Sequence, residues 1–190
     1  MEEEMNRPSF DEYFMGIAMA VRARANCKGN RIGAVAALNH RVISTGYNGT
    51  PRDMPNCDDG GCHRCNHREK YPSGVGYDLC ICVHAEQNVL LSAARFGIAL
   101  SGCTVYTTMQ PCFGCTKEML QADIVGVYYL HEWKHPEADK QAEYEKIQHR
   151  FPQGIRRLQI ADPDEVWAVT TKRTAELISV DETGHPSTLE

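Results

Sequence analysis

The sequence has no long hydrophobic run. None of its uninterrupted apolar stretches reaches the length that spans a bilayer. The first residues include Glu2, Glu3 and Glu4 in place of the basic region that opens a secretory signal peptide. We therefore expect a cytoplasmic protein that is not associated with a membrane.

An excess of basic residues is also missing. The chain has 20 Lys and Arg against 25 Asp and Glu, which gives a net charge of −5. Binding to a nucleic-acid polymer depends on clustered cations that release counterions, so such a partner is not expected. A free nucleotide needs only a local basic patch, and this charge does not exclude it.

Internal repeats and low-complexity segments are absent as well. The composition, 42% hydrophobic and 24% charged, is sufficient for one hydrophobic core. A chain of 190 residues is short for two domains. We expect a single domain over residues 1–180, with a cysteine-rich insertion at 56–82. The polar residues 181–190 are predicted to form a flexible tail.

Cysteine, by contrast, is abundant, with nine residues. In a reducing compartment they are better explained as metal ligands and buried thiols than as disulfides. Residues 84–86 read His-Ala-Glu and residues 111–115 read Pro-Cys-Phe-Gly-Cys. This order supplies three zinc ligands and a separate carboxylate, as in zinc-dependent nucleobase deaminases.

The roles within these motifs follow from zinc chemistry. A catalytic zinc takes three protein ligands and leaves a fourth position for water, which suits His84, Cys112 and Cys115. Glu86 lies two residues past the histidine and is predicted to transfer protons during deamination. A lone Cys-x-x-Cys would fit a redox pair or a structural zinc half-site equally well, but the upstream His-Ala-Glu favours the deaminase.

The hydrophobic pattern predicts alternating strands and helices. Helices are predicted at 9–25, 83–96, 112–121 and 137–150, and strands at 32–38, 42–45, 103–108, 124–130 and 156–160. Ser9 and Glu12 form a capping-box pattern at the first helix, and Pro111 suits the first positions of a later one. The order β-β-α-β-α-β, followed by a helix and the short strand at 156–160, predicts one mixed sheet of five strands with helices on both faces.

Several segments resemble the deoxycytidylate (dCMP) deaminases of the cytidine-deaminase-like superfamily. They are residues 31–35, 46–51, 83–88 and 104–108, and the Pro-Cys motif followed by Lys117. The resemblance implies a three-layer α/β/α sandwich and zinc-dependent hydrolysis of dCMP to dUMP and ammonia, which feeds dTMP synthesis. It also implies a homo-oligomer, a hexamer or smaller, and dCTP and dTTP as effectors, with Mg²⁺ accompanying the effector.

The loop at 56–82 holds many potential metal ligands and almost no hydrophobic residues, so a zinc ion is predicted to organise it. Its half-site is Cys62-x-x-Cys65, which Cys57 and Cys82 complete, with Cys80, His67 and Cys27 as competitors. Some phage-type relatives carry a structural zinc whose ligands align near Cys27, Cys57 and Cys82, so one or two such ions are expected. Metal-free reduced thiols are the alternative. Cys103 is interpreted as a core residue.

Candidate substrate contacts lie outside the metal motifs. Asn48 follows a strand, and its amide suits a sugar hydroxyl or a pyrimidine edge. Arg31 and Arg52 are candidate phosphate contacts or else solvated charges. Trp133 is predicted to stack on the nucleotide, with core packing as the alternative. Ala85 completes the candidate set.

Two other functions remain open. One is deamination of a different small amine, such as another cytosine-bearing nucleoside or nucleotide. The other is a catalytically inactive, competence-associated module of similar sequence. Glu86 argues against the second, because a purely structural site has no use for a carboxylate beside three good ligands.

Overall fold

The computed structural model describes residues 7–170. The predicted tail at 181–190 therefore lies outside the described residues. In chain order the elements are α1 (Phe10–Arg22), β1 (Gly33–Leu38), β2 (Arg41–Tyr47), α2 (His63–Asn66), α3 (Ala85–Arg95), β3 (Thr104–Met109), α4 (Phe113–Gln121), β4 (Gly126–His131), α5 (Ala138–Gln148), β5 (Ile155–Arg157) and α6 (Glu165–Ala168). No helix within 7–170 is long and apolar enough to cross a membrane.

The five strands form one mixed sheet in the order β2-β1-β3-β4-β5. β1 pairs antiparallel with both β2 and β3, while β3, β4 and β5 run parallel. Asn39 and His40, both with positive φ, close the β1–β2 hairpin where the sequence predicts it. The parallel strands are connected by helices, as parallel neighbours require.

Helices cover both faces of the sheet. The apolar side of α1, including Phe14 and Ala18, packs on Val35 and Tyr106. The opposite face carries α3 and α4, whose Val89 and Met119 belong to the larger core cluster. This is the predicted three-layer α/β/α sandwich, and that prediction is confirmed.

Two glycines let these helices approach the sheet closely. A Cβ on Gly33 would lie 2.1 Å from the carbonyl oxygen of Ala18 in α1. A Cβ on Gly46 would lie 2.3 Å from the carbonyl oxygen of Ala85 in α3. Only glycine fits such contacts, so the sequence fixes how near each helix sits.

A buried ion pair joins α1 to the segment that follows β5. The guanidinium of Arg22 donates two hydrogen bonds to the carboxylate of Asp162, and both side chains are almost fully buried. The ring of His131 contacts the same carboxylate at 2.6 Å. Burial alone would raise the pKa of Asp162, but the hydrogen bonds from Arg22 and His131 lower it to about 2.

Candidate active site

The three predicted catalytic ligands come together at the N-termini of α3 and α4. His84 is the N-cap of α3 and Cys112 is the N-cap of α4, with Cys115 in the first turn of that helix. The Nδ1 atom of His84 lies 3.4 Å from each of the two sulfurs. One imidazole nitrogen and two sulfurs so close together are a donor set that suits zinc.

Pro111 occupies a position different from the predicted one. It precedes the N-cap of α4 and is not part of the helix. Its carbonyl oxygen accepts a hydrogen bond of 3.0 Å from the buried amide of Gln148 at the end of α5. The loop that leads into Cys112 is therefore held by α5.

A side-chain bridge connects the two helices that carry the ligands. The Oε1 atom of Gln87 accepts from the backbone N–H of His84 at 2.9 Å, and its Nε2 donates to Glu118 of α4 at 3.0 Å. Gln87 thus satisfies a backbone donor at the start of α3 and also contacts α4. This arrangement stabilises the relative position of the histidine and the cysteines.

Glu86 is buried beside the ligands, with 3% of its surface exposed. Its Oε1 accepts a hydrogen bond of 3.0 Å from Thr107 Oγ1 at the centre of the sheet. Burial raises the pKa of Glu86, while the hydrogen bond from Thr107 acts in the opposite direction. A carboxylate with a raised pKa and a fixed orientation is suited to accepting and returning protons.

The ligand side chains also shift one another's pKa. Burial lowers the pKa of His84, but the neighbouring Cys112 thiolate raises it to about 9. Hydrogen bonds from Cys115 and then from His84 lower the pKa of Cys112 to about 4. The site therefore favours the thiolate, the form that binds metal, at Cys112. The contact with Cys112, together with burial, raises the pKa of Cys115.

A cavity opens beside these groups. His84, Glu86 and Cys112 line it, together with the predicted substrate residues Asn48 and Trp133. The side-chain amide of Asn48 already forms two hydrogen bonds within the chain. Its oxygen accepts from Ile32 N at 2.8 Å, and its nitrogen donates to the Asn30 carbonyl at 2.8 Å.

Three other predicted contacts are not among the residues that line the cavity. Arg31 stacks on the ring of Trp167 at 4.5 Å and donates to its carbonyl, so its guanidinium is engaged elsewhere. Arg52 is exposed and borders a separate cleft. Ala85 is fully buried in the core against the sheet.

The cavity contains residues that the sequence analysis did not single out. Arg64 and Arg68 line it, as do Ser73 and Tyr77, and all four belong to the loop at 56–82. The guanidinium of Arg64 lies 4.6 Å from the centre of the Tyr77 ring. Trp133 Nε1 donates to Ser73 Oγ at 3.3 Å. The sequence signal for the two arginines was their basic character close to Cys65, one residue before it and three residues after it.

The remaining predicted ligands form a separate cysteine cluster. Two groups of four cysteines have their sulfurs within 4.8 Å of one another, and they share Cys65 and Cys82. One group adds Cys27 and Cys57, and the other adds Cys62 and Cys80. His67 belongs to neither group, because its Nδ1 lies 2.9 Å from the His63 carbonyl.

A buried glutamate beside one histidine and two cysteines, at the helix N-termini of an α/β/α sandwich, is the arrangement of the zinc-dependent deaminases. Residues 8–131 match the family model described as the cytidine and deoxycytidylate deaminase zinc-binding region. The chain belongs to this family.

Curated relatives and a solved structure agree with this family. Deoxycytidylate deaminase of Schizosaccharomyces pombe is 43% identical over 123 residues, 65% of this chain and 37% of that protein. Deoxycytidylate deaminase of Mycobacterium phage D29 is 38% identical over 136 residues, 67% of this chain and 99% of that protein. The dCMP deaminase of cyanophage S-TIM5 in complex with dCMP and dUMP aligns with a TM-score of 0.61 at 24% identity over 80% of this chain and 99% of that chain, which shows the shared fold. The match therefore spans about a third of the length of the fission-yeast relative and nearly all of the phage protein.

Proposed function

We propose that this chain is a zinc-dependent deaminase that hydrolyses dCMP to dUMP and ammonia. The observation that carries the proposal is the buried carboxylate of Glu86 beside His84, Cys112 and Cys115 at the edge of one cavity. The names of the relatives support dCMP as the substrate. Water supplies the new carbonyl oxygen, and the exocyclic amine leaves as ammonia.

In this mechanism Glu86 transfers the protons, and Thr107 holds the Glu86 carboxylate in position. His84, Cys112 and Cys115 would hold zinc, which would act as a Lewis acid and make water easier to deprotonate. Glu86 accepts the first proton from the attacking water and delivers it to the ring nitrogen. It then accepts the second proton from the hydroxyl that the water has become and transfers it to the amine, which leaves as ammonia while the carbonyl forms. Thr107 holds one carboxylate oxygen throughout by its hydrogen bond of 3.0 Å.

Glu86→Gln tests the catalytic assignment. The amide keeps the shape of the side chain but cannot carry a proton, so zinc content should stay at the wild-type level while kcat falls by about 100-fold or more. Glu143→Gln on the exposed face of α5 is the matched control and should leave both values unchanged. Normal turnover by Glu86→Gln with intact zinc would refute the proposed role.

We propose Arg68 as the phosphate contact, because it lines the cavity and a guanidinium binds phosphate oxygens in a bidentate manner. Its Nη1 also donates to the Lys28 carbonyl and to the Thr170 hydroxyl. Arg64 is not proposed, because it is buried and its Nε and Nη2 donate to the carbonyls of Val75 and Pro72.

Arg68→Ala should then raise KM for dCMP and leave KM for deoxycytidine unchanged, which ammonia release measures directly. Arg150→Ala, exposed and outside both clefts, is the matched control for a lost arginine. Equal kcat/KM values for dCMP and deoxycytidine in the wild type would favour a nucleoside substrate instead.

Regulation and location are also proposals. The cleft bordered by Arg52 and Arg95 is the proposed effector site. Adding dCTP with Mg²⁺, or dTTP, should change the substrate saturation curve, and a hyperbolic curve indifferent to both nucleotides would refute the effector site. We also propose a homo-oligomer, hexameric or smaller, which sedimentation measures. A cytoplasmic location is supported by nine free cysteines.

A further inference from the structure

Six cysteine sulfurs converge beside the cavity. They come from the segment after α1 and from the loop at 56–82, whose last two cysteines lie four and two residues before His84. The residues are Cys27, Cys57, Cys62, Cys65, Cys80 and Cys82. Five of the six are buried, and each sulfur belongs to at least one group of four.

The spacing of the sulfurs is that of ligands around a tetrahedral ion. Zinc–sulfur bonds of about 2.3 Å at tetrahedral angles place two sulfurs about 3.8 Å apart. The distance from Cys65 to Cys27 is 3.9 Å, and the distance from Cys65 to Cys80 is also 3.9 Å. Cys62 and Cys80 are 3.8 Å apart. A disulfide needs about 2.05 Å, so none of these pairs is bonded.

Backbone donors face the sulfurs. The N–H of Lys28 donates to Cys57 Sγ at 3.4 Å, and the N–H of Gly29 donates to Cys27 Sγ at 3.3 Å. Donors directed at sulfur stabilise thiolates, which are the form that binds metal. These two hydrogen bonds therefore stabilise negative charge on the sulfurs of Cys57 and Cys27.

We propose that this cluster binds two zinc ions that share the thiolates of Cys65 and Cys82 as bridges. Cys27 and Cys57 complete the first ion, and Cys62 and Cys80 complete the second. Two four-coordinate ions need eight metal–sulfur bonds, and six cysteines supply eight when two of them bridge. The two residues common to both groups are therefore the bridging residues.

A single ion would leave part of the cluster without a role. An ion in the group of Cys27 and Cys57 would leave Cys62 and Cys80 in contact as two thiols. Two zinc ions bridged by Cys65 and Cys82 would use all six cysteines as ligands. This inference extends the structural zinc that the loop composition predicts, and it does not depend on the proposed reaction.

Cadmium-113 NMR of the full chain reconstituted with ¹¹³Cd²⁺ tests the bridge. We expect three resonances, two of which are mutually split because scalar coupling between two cadmium nuclei passes through a shared sulfur. The unsplit resonance belongs to the site of His84, Cys112 and Cys115. One cluster resonance, or two without mutual splitting, would overturn the bridged pair. Loss of the unsplit resonance alone would count against the proposed function and leave the cluster untouched.

Metal analysis of variants provides a second readout. The wild type should hold three zinc ions per chain, one for each ligand group. Cys62→Ser with Cys80→Ser should lower this value by one and abolish the splitting, because the bridging residues then hold a single ion. Cys103→Ala removes a buried cysteine outside the cluster and should keep all ions. A wild-type content below three, or an unchanged content in the double variant, would refute the second ion.

Discussion

Gly46→Ala tests how the packing of α3 sets the catalytic geometry. The new Cβ would lie 2.3 Å from the Ala85 carbonyl oxygen and 2.6 Å from the Val89 nitrogen. Both are backbone atoms of α3, so no side-chain rotation relieves the contact. Ordinary contact between heavy atoms needs about 3.5 Å, so α3 must withdraw from β2 by about 1 Å.

That displacement acts on the reacting groups, because His84 caps α3 and Glu86 lies in its first turn. A misplacement of about 1 Å costs about 100-fold in rate when catalysis depends on orientation. We therefore expect kcat/KM for dCMP to fall by about two orders of magnitude. The free energy of unfolding should fall by about 1–3 kcal/mol, as in other overpacked sites.

Two other glycines provide matched controls. Gly16→Ala places a Cβ in α1 with nothing within 4 Å, so activity and stability should stay at the wild-type level or improve slightly. Gly33→Ala would place its Cβ 2.1 Å from the Ala18 carbonyl oxygen and push α1 away instead. Because α1 carries none of the ligands, this variant should lose stability and keep most of its kcat/KM.

The assay combines thermal unfolding, zinc content and ammonia release from dCMP for all three variants. We expect Gly33→Ala to lose stability and keep its activity. We expect Gly46→Ala to lose both stability and activity. The reasoning is refuted if Gly46→Ala retains wild-type kcat/KM, or if the two overpacked variants lose activity equally.

Three further perturbations have defined outcomes. Asp162→Asn leaves the buried Arg22 with an uncompensated charge and should lower the free energy of unfolding by about 3 kcal/mol in urea titration, whereas exposed Asp164→Asn should cost little. Because the pKa of Asp162 is lowered to about 2, its contribution is present above about pH 4 and is lost as the pH falls towards 2, so the two variants should converge there. Thr107→Val removes a hydrogen bond that lowers the pKa of Glu86, so the acid limb of the kcat/KM profile should move to higher pH; an unmoved limb contradicts this. Zinc removal by a chelator should abolish activity and make the loop at 56–82 sensitive to proteases, and full protection after removal would show that metal does not hold it.

The sequence predicts the local features of this fold well, because their signals lie within a few residues. The capping box of Ser9 and Glu12 forms as expected, with Glu12 Oε2 accepting from Ser9 N at 2.7 Å. The hairpin at Asn39 and His40 also depends on a short signal. The predicted strands and helices agree with the structure within about two residues at most ends.

Long-range placement was not predictable from such signals. Arg31 and Arg64 are both basic residues beside a motif, but only the folding of the loop at 56–82 brings Arg64 to the cavity. The division of the cysteines into two groups that share Cys65 and Cys82 likewise depends on contacts between distant segments. His67 fits zinc-ligand spacing in the sequence, but its ring faces His63.

A single residue, Val83, separates Cys82 of the cysteine cluster from His84, the proposed ligand of the catalytic zinc. Its N–H donates to the Gly49 carbonyl at 2.8 Å, and its own carbonyl accepts from Gly49 N at 3.2 Å, which forms an isolated bridge. A fixed position of Cys82 therefore also fixes the position of His84, because only Val83 lies between them and its backbone is paired with Gly49. In a chain made during zinc shortage, the α/β/α sandwich would still form. The segment from Cys82 to His84, which leads into the proposed active site, would no longer be held by a metal ion. Turnover would then depend on the ions of the cysteine cluster as well as on the ion of the proposed catalytic site.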